Sequence, residues 1–110
     1  MAYDEHLADR VRHALRDDGE LTERKMFGGL AFLSRGHMVC GVVHEALMVR
    51  LGAEHADAAL DQPHVRPMDF TGRPMRGMVF VDPPALTSAA ALAAWVGEAR
   101  AFVAKLPPKA

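Results

Sequence analysis

From Lys25 to Leu51 the chain is apolar almost without a break, interrupted only at Gly28-Gly29, Arg35-Gly36-His37 and His44-Glu45. Glycine or charge returning at such short intervals in an aliphatic run marks strands joined by tight turns. Linkers this short permit antiparallel pairing, whereas parallel strands need a crossover of about a dozen residues or more. The pattern predicts strands at Leu21 to Phe27, Leu30 to Ser34, Met38 to Val43 and Leu47 to Leu51. Glu23, Arg24 and Lys25 place the first at an edge, where charge discourages pairing with other molecules.

In Met38 to Val43 both parities are apolar: Met38, Cys40 and Val42 on one, Val39, Gly41 and Val43 on the other. A sheet with one wet face would alternate apolar with polar. The middle of the sheet is therefore expected to be covered on both faces. Terminal helices supply one cover. The second is expected from the segment Ala53 to Pro74 or from another copy of the chain, which makes a homodimer an expectation.

Asp4 is placed to cap a first helix, with Glu5 at the positive end of its dipole. Leu7, Val11, Ala14 and Leu15 form one buried stripe, and Asp18-Gly19 is the expected stop, through a left-handed glycine. After Gly52, Ala53 to Leu60 reads as a short helix, and Gln62 to Arg76, with three prolines and Gly72, as a loop. Gly77 to Val81 is the expected last strand. Thr87 or Ser88 then caps a helix to about Leu106, with Leu92, Trp95, Val96, Ala99, Phe102, Val103 and Leu106 as its core stripe. Gly97 inside it predicts close packing on the sheet. The expected fold is α+β: an antiparallel sheet of about five strands, a β-meander, with the N- and C-terminal helices packed on one face.

A length of 110 residues makes one domain, residues 1–110. The formal net charge of −1 provides no global field for nucleic acid. Cys40 is the single cysteine, which excludes an internal disulfide. Met1 to His6 has neither a basic nor an apolar leader region, and no apolar stretch reaches the roughly 18 residues needed to cross a bilayer. No signal peptide and no membrane span are expected, and the cytoplasm is the expected compartment.

Lys25-Met26-Phe27-Gly28-Gly29 is followed by an aliphatic-aromatic strand, a glycine turn at Gly36 and a strand opening with Met38. This order resembles the N-terminal domain of the TfoX/Sxy family. The resemblance continues through Leu47 to Arg50, Met68-Asp69-Phe70 and the Leu92, Trp95, Val96, Ala99 helix, from about Leu7 to Leu106. It implies helices sandwiched with an antiparallel sheet and brings no catalytic residues. The family's named members are two-domain competence regulators that assist transcription of DNA-uptake genes. Their second domain is expected to have no counterpart here.

The residues themselves supply no catalytic constellation. Gly28-Gly29, with Arg24 and Lys25, could form an anion-binding nest, but it joins two strands and lacks the framework of a nucleotide loop. The favoured reading is a tight junction that needs glycine geometry. Six histidines and Cys40 show no metal-ligand spacing, and Ser34 and Ser88 lie in no nucleophile elbow. No cofactor and no metal are expected. Arg66, Arg73 and Arg76, with Arg24, Lys25 and Arg50, are the candidates for a basic patch, offset by Asp69 and Asp82. The leading expectation is a non-enzymatic regulatory or protein-interaction module with a protein partner. The alternative is a weak nucleic-acid-binding module that uses the basic loop of Arg66, Arg73 and Arg76.

Overall fold

The computed structural model describes residues 3–26, 28–70 and 73–107; at 69, 70 and 73–76 the description covers backbone only. The first helix, α1 (Glu5–Ala14), starts where Asp4 accepts hydrogen bonds from the His6 and Leu7 amides at 2.9 and 3.2 Å. Four strands follow: β1 (Leu21–Met26), β2 (Gly29–Ser34), β3 (His37–Val43) and β4 (Ala46–Arg50). Helix α2 (Ala53–Ala59), strands β5 (Val65–Phe70) and β6 (Arg73–Val81), a 3-10 turn (Pro83–Leu86) and helix α3 (Ala89–Ala104) complete the chain. Ser88 caps α3 by accepting from the Ala91 amide at 3.0 Å. No helix among the described residues is long and apolar enough to cross a membrane.

The architecture is α+β, as expected, with one antiparallel sheet in the order β1-β2-β3-β4-β6-β5. The sheet has six strands because Val65 to Phe70, expected as loop, pairs with β6. Its Pro67 is tolerated because β5 is an edge strand, where a missing N–H faces away from the ladder. Between Pro67 and Asp69 the register slips, which further blunts that edge. The opposite edge, β1, carries the exposed Glu23, Arg24 and Lys25.

Two cross-strand rows build the principal core. One runs Leu30, Val42, Leu47, Val81, Val65, and the other Phe32, Cys40, Val49, Val79. Leu7, Val11 and Leu15 of α1, Ala56 and Ala59 of α2, and Leu92, Trp95, Val96, Ala99 and Val103 of α3 close over them. Each large side chain fully buried here gains about 1.5–3 kcal/mol over an exposed one. Arg12 fastens α1 to the edge strand, its guanidinium meeting both Glu23 oxygens at 2.8 Å. At the far end, the His37 ring donates Nε2–H to the Pro107 carbonyl at 2.5 Å, and its buried Nδ1 has no partner among the described residues.

The second face holds a separate cluster of Val43, Ala46, Met48, Met68, Met78 and Phe80, with Met38 packed against it. Met68, from the segment expected to help cover this face, joins the cluster; α2 instead joins the first core. All six clustered residues are at most 9% exposed in the single chain, so their burial does not require a second copy.

The expected parity of β3 is corrected at one point. A register shift between Phe32 and Leu33, which pair with Cys40 and Met38, leaves Val39 between those two as the extra residue of β3. Such a bulge turns one side chain out of alternation. Val39 therefore joins Cys40 and Val42 in the first core, and Met38 moves to the second face with Val43.

Two glycine expectations also change. Helix α1 closes at Leu15 rather than at Gly19, whose φ is not positive, and the turn is organised by Asp18, which accepts from the Glu20 amide at 2.9 Å. Gly97 is exposed, and a Cβ there would meet nothing within 4 Å, so no close approach requires it. Gly97→Ala is expected to stabilise the protein by about 0.5–1 kcal/mol, because alanine loses less backbone freedom in a helix. An unchanged or lowered midpoint in urea unfolding would show that the exposed surface of α3 is not free.

Candidate functional site

The Lys25-Met26-Phe27-Gly28-Gly29 motif is the β1–β2 hairpin. Met26 pairs with Gly29, and Gly28 lies in the turn between them; Phe27 lies outside the described residues. The two glycines answer different demands. Gly28 has φ +72 and open space around it, so it is needed for backbone conformation. A Cβ on Gly29 would stand 2.2 Å from the Val42 carbonyl oxygen, so it is needed for close approach to β3.

The basic-patch candidates fall apart in space. Arg24 and Arg66 stand on opposite edge strands, at the two ends of one cross-strand row: Arg24, Ala31, Gly41, Met48, Phe80, Arg66. Arg66 grips Asp82 with Nε and Nη2 at 2.8 Å and lies 5.1 Å from the Phe80 ring centroid. Those hydrogen bonds hold the Asp82 carboxyl below its ordinary range, overcoming a smaller burial effect that raises it. The backbone of Arg73 and Arg76 is in β6, and their side chains lie outside the described residues. Arg66 lines a concavity of about 810 Å³ with Tyr3, His44, Glu45, Phe80 and Asp82, a rim of mixed charge whose one arginine is already paired.

A second concavity, of about 500 Å³, gathers residues that the sequence scattered. Arg24 and Arg50 border it, Leu33, Met26, Met38 and Met78 line its apolar part, and Phe102 closes one side. The Phe102 ring reaches this place because Gly52, at φ +84, has no side chain: a Cβ there would lie 2.6 Å from the ring. The Arg50 guanidinium is over the same ring, 5.7 Å from its centroid. Among the described lining residues none carries a carboxylate. Sequence reading placed Arg50 in a basic surface and Phe102 in a core stripe; only the sheet register and the bulge at Val39 bring them beside Arg24 and Met38.

Reactive groups are placed unfavourably for catalysis. Cys40 is buried on the first face, and burial pushes its thiol up to about 12, so little thiolate exists at neutral pH. Among the described residues no group of three or more His, Cys, Asp or Glu is arranged to hold a metal ion. What the second face offers is shape, polarisable apolar surface and two arginines.

The family model described as TfoX N-terminal domain matches residues 13–103 of the 110. The chain belongs to that family. No curated protein matches it.

Two outcomes are expected. Gly28→Ala should cost about 1–2 kcal/mol through left-handed strain, whereas Gly29→Ala, meeting backbone that cannot swing aside, should cost at least about 2–3 kcal/mol. Equal losses in urea unfolding would contradict the division of labour between them. The depressed Asp82 carboxyl contributes stability above the ordinary value of about 3.9, and that contribution disappears as pH falls through its lower folded value. With the Arg66 and Asp82 side chains 53% and 29% exposed, the pair is worth less than about 1 kcal/mol. Asp82→Asn should therefore lower the urea midpoint slightly at neutral pH, with the gap closing in acid; a gap independent of pH would assign the effect elsewhere.

Proposed function

We infer that this member of the TfoX N-terminal domain family is a non-enzymatic regulatory module that works by contact with another protein, using the methionine-lined cleft of the second sheet face. The cleft carries the reading. Methionine is unbranched and polarisable, so surfaces built from it repack around varied partners. Met26 and Met38 are half-buried, with Arg24 and Arg50 at the border to orient a partner. The sheet edges suit the role less well, since charge on β1 and Pro67 with a register slip on β5 oppose strand addition. A cytoplasmic setting is compatible with a lone buried thiol.

The nucleic-acid alternative draws less support. Phosphate contacts require free cationic side chains on one surface, yet Arg66 is committed to Asp82 and stands at the opposite edge from Arg24.

A photo-crosslinking residue at Met38, compared with one at Ala93 on the exposed side of α3, tests the reading in the native cell. Adducts to a defined protein from Met38 and not from Ala93 are expected. Adducts only to nucleic acid, or protein adducts equally from both positions, would reject it. Adducts to the chain itself would make the partner a second copy.

A further inference from the structure

Resting on the reading of the chain as an interaction module, we propose that the cleft between Arg24 and Arg50 receives an extended protein segment that alternates apolar residues with two spaced carboxylates. The first argument is that, among the described residues, the fold gives neither of these two charges a carboxylate. Arg12 is held by Asp9 and Glu23, Arg66 by Asp82, Arg10 by the Leu86 carbonyl and Arg35 by the Val103 carbonyl. Arg24 is exposed and Arg50 half-buried against Phe102, and neither has a carboxylate partner among the described residues. Both guanidinium groups border one apolar cleft whose described lining holds no carboxylate.

The second argument is spacing. Arg24 is on β1 and Arg50 on β4, three strand intervals or roughly 14 Å apart across the sheet and two residues or roughly 7 Å apart along it. Their backbones are therefore roughly 16 Å apart, and the long arginine side chains can close the difference to a shorter span. A single carboxylate, as in a fatty acid, reaches one guanidinium only. An extended chain rises about 3.3 Å per residue, so acidic residues four apart span about 13 Å and project from the same side. Between them, the apolar side chain midway meets Leu33 and Met38 on β2 and β3, and an apolar residue beyond the Arg50 carboxylate meets Met78 on β6. Arginine is suited to the task because its planar fork accepts a carboxylate with two parallel hydrogen bonds.

The test is fluorescence anisotropy with a labelled synthetic peptide of about ten residues, leucine-rich with two glutamates four apart, and its counterpart with lysine at both places. At low salt the full chain should bind the glutamate peptide at least about tenfold tighter than the lysine peptide, with affinity falling as salt is added. Arg24→Glu should weaken the glutamate peptide about fivefold or more and strengthen the lysine peptide. Because Arg24 is exposed and no hydrogen bond or ion pair holds it among the described residues, that variant is expected to fold normally; the folds of it and of Arg50→Glu, the second arm, are checked by circular dichroism. Equal binding of both peptides, no binding of either, or an unchanged affinity in Arg24→Glu would overturn the proposal. So would dodecanoate competing as well as the glutamate peptide does. If these arms fail while crosslinks from Met38 still identify a protein, the acidic-apolar chemistry falls and the interaction reading stands.

Discussion

Strand β3 must bury side chains on both of its surfaces at once, and the rest of the structure is arranged around that demand. Its neighbours β2 and β4 are almost as fully buried, so a one-residue slip would turn apolar side chains to the wrong face and the register is strongly specified. One surface is closed by three helices through a continuous core. The other is closed by side chains of the sheet itself, chiefly methionine and Phe80, with Gly41 and Ala31 left small so that Met48 can lie across them. A Cβ on Gly41 would stand 2.8 Å from the Met48 terminal carbon, which shows how closely that side chain covers the strand.

Much of this was legible in the residues. Glycine and charge punctuation gave the hairpins, Asp4 and Ser88 gave the helix starts, and the doubled apolar parity of β3 gave the two-sided burial. What escaped has physical causes. Strand β5 was hidden because proline argues against a central strand, and here the strand is an edge. The placement of Met38 was hidden because alternation assumes an unbroken ladder, and one extra residue at Val39 inverts it. Gly97 was read as a packing requirement when nothing lies near it.

The candidate site was legible in pieces only. Arg24, Arg50 and the methionines were all visible as residues, but their meeting depends on cross-strand pairing, which a linear pattern does not encode. Arg66 was grouped with Arg24 by charge, and the register separates them by the full width of the sheet. Family membership fixes the scaffold for this chain. It leaves the surface chemistry to be argued from the side chains, and there the apolar trough with two unmatched cations is the distinctive feature.

The bond from His37 to the Pro107 carbonyl has a practical consequence. His37 directly follows Gly36, which lines the Arg24–Arg50 cleft, so this bond holds Pro107 at the end of β3 nearest the cleft. An affinity handle fused beyond Pro107 would start from that same end of the strand. One attached ahead of Tyr3, which bridges to His44 at the far turn, would leave it clear.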